Sequence, residues 1–135
     1  MESDQFTLDE ANALVPWLEE TFQRLTQGRQ EHLALRERLT ELLQRRESRD
    51  SNGPSGGNDE LTRVREDVDR LARQIEDGVE EILDRGIIVR DVERGLVDFP
   101  SPREGREVFL CWIGGEERID FWHETDRGFA HRQPL

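Results

Sequence analysis

Apolar residues recur at helical spacing in two stretches of the chain, residues 1–48 and residues 60–86. Each stretch is polar between its apolar positions, which is the pattern of a helix with one packed face. Residues 49–59 separate them and are rich in Gly, Ser and Asn, a composition typical of a flexible loop. The pattern predicts a long antiparallel two-helix hairpin of the coiled-coil type. Its apolar positions are Ala11, Leu14, Leu18, Phe22, Leu25, Leu35, Leu39 and Leu42 in the first stretch, and Leu61, Val64, Val68, Leu71, Ile75, Val79 and Ile82 in the second.

Local signals mark the ends of these helices. Thr7 and Glu10 have the spacing of a capping box, in which each side chain binds the backbone N–H of the other residue. Pro16 follows soon after and predicts either a kink or a short helix followed by a long one. Gly86 suits a left-handed residue that ends the second helix.

Two glycines fall inside the predicted helix seam. Antiparallel pairing places Gly28 opposite Gly78 and His32 opposite Ile75. Each Gly in a helix interior costs about 1 kcal/mol relative to Ala. The pair therefore predicts either a close approach of the two backbones or a notch filled by a bulky side chain, such as Trp112 or a residue of a partner.

Beyond Gly86 the apolar period changes to two, which predicts an antiparallel β-meander over residues 87–122. Turns are predicted at residues 93–95, at residues 100–105 and at Gly114–Gly115. Residues 123–135 are expected to form an ordered C-terminal tail packed on the sheet. The predicted fold is α+β, with the helical hairpin, the meander and the tail in a single domain.

A two-residue turn at Gly114–Gly115 sets a register for the last two strands. It pairs Arg106 with His123 on the face expected to lie against the helices, and it points Cys111 away from His123. Aromatic residues then occur on both faces of a small sheet, which motivates a homodimer. The second face carries Phe109, Cys111, Asp120 and Trp122.

Charge and composition narrow the function classes. The chain has 19 basic and 31 acidic residues, a formal net charge of −12, and every basic residue is Arg. This charge opposes binding to nucleic-acid phosphates. No apolar run reaches the roughly 20 residues of a membrane helix. Residues 1–4 include Glu2 and Asp4 and do not resemble the start of a signal peptide. A lone Cys111 fits a reducing compartment, so we expect a cytoplasmic protein.

The densest cluster of possible metal ligands comprises His123, Glu124 and Asp126, with Asp98 at the end of a neighbouring strand. Imidazole and carboxylate groups bind divalent metals, so a metal site formed by these four residues is one hypothesis. The alternative is a structural network in which Arg106, His123 and the carboxylates hold the tail against the sheet.

An aromatic, cationic pocket for a small anion is a further candidate, and its alternative is core packing with Arg stacked on Trp. Nucleophilic catalysis has less support, because Cys111 lies inside a strand and the chain has neither a G-x-S-x-G motif nor the lysine of a phosphate-binding loop. The candidate pocket residues are Arg106, Trp112, Trp122, His123 and Arg132.

Several motifs resemble a single family. They are FTLDEANAL at 6–14, RGLVDFP at 94–100, GREV at 105–108, LCW at 110–112, WHE at 122–124, GFA at 128–130 and RQPL at 132–135. Together they resemble the bacterial domain-of-unknown-function family 2203 over nearly the whole chain, except the helical middle. The resemblance implies a single-domain unit and brings no assigned activity. His131 stands where similar proteins have Gly, so it is not expected to be a ligand throughout the family.

The sequence favours a non-enzymatic interaction or scaffold module that forms a homodimer. The alternative is a small-ligand or divalent-metal-binding domain with its site around His123 and the tail, and hydrolysis as the activity to test. A divalent metal is the one cofactor for which the sequence offers candidate ligands.

Overall fold

A computed structural model of the protein describes residues 5–48 and 56–135. These residues form an α+β fold, as predicted, in which the helices precede an antiparallel sheet and an ordered tail. The helices are α1 (Leu8–Ala13), α2 (Val15–Ser48) and α3 (Gly56–Asp84). The strands are β1 (Ile88–Asp91), β2 (Leu96–Arg103), β3 (Arg106–Trp112), β4 (Phe121–Glu124) and β5 (Gln133–Pro134), with a 3-10 turn at Phe129–His131.

Residues 26–77 form one of two compact units, which contains the C-terminal part of α2 and the N-terminal part of α3. Within this unit the helices run antiparallel, and Arg38 binds both carboxylate oxygens of Glu60, at 2.8 and 3.0 Å. Of the predicted loop, residues 49–55 lie outside the described residues, and residues 56–59 belong to α3. Leu42, Leu61 and Val64 form a buried cluster in this unit, and Leu71 is buried as well.

The second compact unit comprises residues 1–25 and 78–135 and contains the sheet. The sequence signals for helix ends in this unit correspond to the structures that they predicted. The Glu10 N–H binds the Thr7 hydroxyl at 3.1 Å, and the Thr7 N–H binds the Glu10 carboxylate at 2.8 Å. Pro16 lies in the first turn of α2, directly after the short α1. Gly86 follows α3 with a φ of 87°.

The two seam glycines each face a side chain and not each other. A Cβ on Gly28 would lie 3.6 Å from Ile75 Cγ1, and a Cβ on Gly78 would lie 2.6 Å from Leu25 Cδ2. The predicted Gly28–Gly78 pairing is therefore wrong by about one helical turn. The notch at Gly78 is filled by Leu25, which needs the space that a Cβ would occupy, and not by Trp112 or a partner.

The five strands pair in the order β1-β2-β3-β4-β5, each antiparallel to its neighbour in sequence. Side chains alternate between two faces. The inner face packs against the helical side of its unit, where the ring of Phe22 stacks on Trp112 with centroids 6.4 Å apart, and Phe6 meets Phe99 edge-on at 5.2 Å. The inner face comprises Val97, Phe99, Val108, Leu110, Trp112 and Trp122, all buried.

Strand β2 continues through Pro100 and Pro102, where a turn was predicted. The chain turns only at residues 104–105, both of which have positive φ. Strand β1 pairs with β2 as far as Asp98. Beyond Asp98, β2 is an edge strand on the side where β1 pairs. Proline, which has no backbone N–H, is tolerated at such an edge because no strand there requires a donor. The Pro100 carbonyl instead accepts the Phe6 N–H at 2.7 Å.

Strands β3 and β4 pair in a different register from the one predicted. Phe109, and not Arg106, lies opposite His123. The shift is an odd number of residues, so it moves each β4 side chain to the other face of the sheet. Cys111 and His123 therefore share a face, and the prediction that Cys111 points away from His123 is wrong.

The cause of the new register lies in residues 113–120, which leave the ladder. The predicted glycine turn forms there, but two contacts divert the chain after it. The Trp112 indole N–H donates to the Glu116 carbonyl at 3.0 Å, and the Ile119 N–H donates to Asn12 Oδ1 at 2.7 Å. Because Ile119 is buried at this point, β4 begins later than a tight hairpin would require.

Candidate functional site

Three groups with metal-binding chemistry meet on the outer face of the sheet, the face opposite the aromatic core. A carboxylate oxygen of Asp98, the sulfur of Cys111 and a ring nitrogen of His123 lie within 4.8 Å of one another. The three residues are only 2%, 1% and 1% exposed, respectively. Because burying polar groups is costly, such a cluster requires partners for every polar atom.

The strand register explains why these residues meet. Asp98 on β2 lies directly opposite Cys111 on β3. His123 on β4 lies opposite Phe109, two residues before Cys111 and so on the same face. Directly opposite side chains on neighbouring strands have Cβ atoms about 5 Å apart, and diagonal side chains about 7–8 Å. The outer face thus collects its site from three adjacent strands.

Both ring nitrogens of His123 face oxygen atoms. Nδ1 lies 2.9 Å from the Glu124 carbonyl, and Nε2 lies 2.9 Å from Asp98 Oδ1. A carbonyl and an ionised carboxylate can only accept hydrogen bonds. The Nδ1 contact therefore needs a proton on that nitrogen, and the Nε2 contact needs either a proton or a cation between the two atoms.

The second oxygen of Asp98 is held from outside the cluster. Arg90 Nε donates to Asp98 Oδ2 at 2.9 Å, which leaves Oδ1 directed at His123. The Arg90 guanidinium lies over the ring of Phe109 at 5.3 Å, and that ring meets His123 edge-on at 5.6 Å. These contacts fix the orientation of the carboxylate and the imidazole.

Cys111 is a protonated thiol in this environment. The pKa of the Cys111 thiol is raised to about 12, chiefly by burial and also by the Asp98 carboxylate, while Arg132 opposes the rise. A neutral thiol is a poor nucleophile and a poor ligand at pH 7. A divalent cation at the cluster would reverse this state, because a thiol that coordinates a metal loses its proton.

A cleft of about 400 Å³ opens onto the three groups. Its floor is the outer face, and one wall is the segment that follows β4. A volume of this size lies within the range of small-molecule sites. Besides the three clustered residues, the cleft is lined by Arg90, Leu96, Thr125, Asp126, Arg127, Gly128 and Phe129.

Arg132 fastens the tail beside this cleft. Its guanidinium lies 4.2 Å from the ring centroids of both Phe121 and Phe129. It also binds the Glu116 carboxylate at 3.0 Å. Strand β5 adds backbone pairing with β4. The tail is therefore an ordered part of the outer face. Its contacts cover part of the aromatic surface whose predicted exposure motivated the homodimer.

The predicted metal ligands are only partly brought together. Asp98 and His123 are in contact, and Asp126 lines the cleft. Glu124 alternates to the other side of the strand, where its carboxylate accepts a hydrogen bond from Arg106. This contact lowers the pKa of Glu124 and raises that of Arg106.

The predicted pocket residues are divided between the two faces. Trp112 and Trp122 belong to the inner face, and Arg106 lies beside Trp122 at 5.9 Å. His123 and Arg132 lie on the outer side. The structure therefore does not assemble these five residues into one pocket.

The sequence did not predict two residues of this site. One is Cys111, which belongs to the cluster beside His123, and the other is Arg90, which binds Asp98. The alternation of β3 already places Cys111 on one face with Phe109. The register of β4 against β3 was the further information needed to place His123 on that face. Arg90 lies at the bulge between Val89 and Asp91, which no local sequence signal specifies.

The fold and site together define an α+β protein with a buried Asp–Cys–His cluster on the outer face of an antiparallel meander. The sequence model of the family described as Uncharacterized conserved protein (DUF2203) matches residues 5–135, and the chain belongs to this family. No curated protein and no solved structure matches the chain. Across residues 5–48 and 56–135, neither long helix is apolar enough to cross a membrane.

Proposed function

We propose that this protein binds a divalent metal ion of the Zn²⁺ class through Asp98, Cys111 and His123. The observation that carries the proposal is the meeting of their three ligand atoms within 4.8 Å in a buried position. A thiolate, an imidazole and a carboxylate are all established Zn²⁺ ligands. Zn²⁺ sites with three protein ligands keep a fourth position open to water or a small molecule.

The distance between the histidine nitrogen and the aspartate oxygen is close to that of two Zn²⁺ ligands. Ligand oxygen and nitrogen atoms at tetrahedral positions around Zn²⁺ are about 3.3 Å apart. The present separation of His123 Nε2 and Asp98 Oδ1 is 2.9 Å. An ion therefore requires these two atoms to separate by a few tenths of an ångström, which side-chain rotation can supply.

The outer partners support the same proposal. Ligating histidines commonly donate their second N–H to a carbonyl, and ligating carboxylates are hydrogen-bonded in turn. The Glu124 carbonyl is placed to accept from His123 Nδ1, and Arg90 holds the second oxygen of Asp98. In this arrangement the ion replaces the proton between Nε2 and Oδ1.

The test is a measurement of metal content and affinity with matched histidine variants. The protein is purified without chelator or affinity metal, and Zn²⁺ binding is followed by native mass spectrometry and competition with a chromophoric chelator. We expect one Zn²⁺ per chain for the natural protein and for His131→Ala, whose histidine is exposed. We expect loss of that ion for His123→Ala and for the nearly isosteric Cys111→Ser.

Circular dichroism shows whether each variant is folded, so that lost binding is not confused with lost structure. Folded His123→Ala protein that binds Zn²⁺ as tightly as the natural protein would contradict the proposal. Natural protein without a Zn²⁺ site would contradict it as well, and would leave the His123–Asp98 contact as a structural link.

A second candidate function is the interaction or scaffold role, with a coiled-coil-like hairpin as part of a homodimer. It is supported by the unit at residues 26–77, where Leu33 is 57% exposed and the seam residues Leu35, Leu39 and Val68 are only partly buried. Helices that leave apolar positions uncovered often pack against a partner. Light scattering at micromolar concentration tests this role, and a monomeric mass would contradict the homodimer.

A further inference from the structure

We propose that the cleft beside the metal site binds the carboxylate of a small organic acid at the metal's open position. This inference rests on the metal function proposed above and names its ligand class. All three metal-ligand side chains line the cleft. The fourth position of an ion that they hold therefore faces the cleft, because the sheet occupies the opposite side.

The charges around the cleft favour an anion with a single charge. A divalent ion is neutralised by the Cys111 thiolate and the Asp98 carboxylate. Of the other charged residues that line the cleft, Arg90 and Arg127 are positive and Asp126 is negative. The charges of the ion, its ligands and the other lining residues therefore sum to one positive charge. A carboxylate balances this charge, whereas the charge of a phosphate dianion exceeds it.

The rest of the cleft favours a ligand with an apolar body. Leu96 is buried at one side of it, and the ring of Phe129 closes another side. Phe129 is held in place by Arg132, whose guanidinium lies 4.2 Å from its ring. Small-molecule sites typically combine such apolar walls with a few polar groups that orient the ligand.

The experiment uses the full chain loaded with Co²⁺, whose visible absorption reports both the ligand set and its changes. A sulfur-to-cobalt charge-transfer band that is absent in Cys111→Ser establishes the metal site. Benzoate is then titrated as the probe, with benzamide as the uncharged control and inorganic phosphate as the dianion. We expect benzoate to shift the cobalt bands with saturation, and benzamide and phosphate to leave them unchanged.

Two exposed cleft residues of opposite charge provide a matched pair of variants. Arg127→Gln should weaken benzoate binding by about tenfold, since a hydrogen bond to a charged group is lost. Asp126→Asn should tighten it severalfold, because a like charge is removed. Neither variant alters a metal ligand, so both should keep the charge-transfer band.

The outcomes separate the two proposals. Absence of the charge-transfer band in the natural protein would overturn the metal function and this inference with it. A normal band that benzoate does not change, or that benzamide or phosphate changes equally, would overturn the carboxylate ligand alone. Equal benzoate affinity in Arg127→Gln and Asp126→Asn would also overturn it.

Discussion

Both faces of the sheet contain buried residues, yet different interactions hold them. Inner residues such as Phe99 and Trp112 are apolar or aromatic, and their burial is favourable in itself. Outer residues such as Asp98 and His123 are polar, and their burial is tolerated because each polar atom has a partner. Among the residues that the structure describes, no buried side-chain nitrogen or oxygen lacks a hydrogen-bond partner.

A functional site is therefore expected on the outer face of the sheet and not on the inner one. A packed apolar face contributes stability and offers no reactive group. A buried polar face contributes less net stability, because hydrogen bonds with water are exchanged for hydrogen bonds within the protein. It retains groups that can change protonation state or bind a metal. Variants on the inner face should therefore lose mainly stability, and variants on the outer face should also lose metal binding.

Substitution on the inner face should destabilise the protein most. Phe99→Ala removes a fully buried ring that also packs on Phe6, and we expect a loss of about 3–5 kcal/mol in the free energy of unfolding. Urea denaturation measures this loss. The folded fraction should still bind Zn²⁺ with unchanged affinity, and a large change in affinity would contradict the separation of the two faces.

On the outer face, Asp98→Ala should destabilise the metal-free protein by about 1–3 kcal/mol, because it removes the hydrogen-bond partner of His123 Nε2 and of Arg90 Nε. It should also abolish the increase in melting temperature that Zn²⁺ gives the natural protein. The matched variant Asp98→Asn keeps a carbonyl oxygen and should lose less stability. If the two variants were equally destabilised, hydrogen bonding would not be what holds this face.

The dependence of stability on pH isolates one outer residue. The pKa of Cys111 is about 12 in the folded protein and near its ordinary value in the unfolded chain. Its contribution is therefore fully present below pH of about 9 and is lost as the pH rises toward 12. The chain contains neither Tyr nor Lys, so Cys111 is the side chain that titrates in this window.

Chemical denaturation across this pH range, compared with that of Cys111→Ser, measures the effect. The natural protein should lose stability relative to the variant as the pH increases, and parallel curves would contradict the prediction. Zn²⁺ affinity should change in the opposite direction and increase with pH, because binding releases the thiol proton.

The ion pair of Arg106 and Glu124, at the end of the inner face, should contribute least to stability. Arg106→Gln removes the partner of Glu124, so the pKa of Glu124 should return upward to its ordinary range. NMR titration of the Glu124 carboxyl carbon measures this. The change in stability should be slight and should vanish at high salt. A large loss of stability would show that this pair is part of the core.

The sequence was sufficient where the signals are local. The capping box of Thr7 and Glu10, the break at Pro16 and the left-handed Gly86 each depend on residues within one turn of the chain. The inner apolar positions of β2 and β3 follow from simple alternation. These signals predicted the helices, the meander and the ordered tail.

The sequence was insufficient where contacts between residues far apart in the chain determine the structure. The glycine turn at 114–115 forms, but Ile119 binds Asn12, more than one hundred residues earlier. That contact sets the position of β4, and with it the face on which His123 lies. The candidate site was therefore predicted with His123 and Asp98 but without Cys111, and with Glu124, which the alternation of β4 places on the other face.

The order of the strands has a consequence for the folding pathway. Every strand pairs with its neighbour in sequence, so the meander can form by closing short loops, which is fast. The amino-terminal segment joins it only through distant contacts, such as Ser101 Oγ with the Phe6 carbonyl at 2.6 Å. We expect the segment around Phe6 to dock after the transition state, so that substitutions there accelerate unfolding and leave the folding rate almost unchanged.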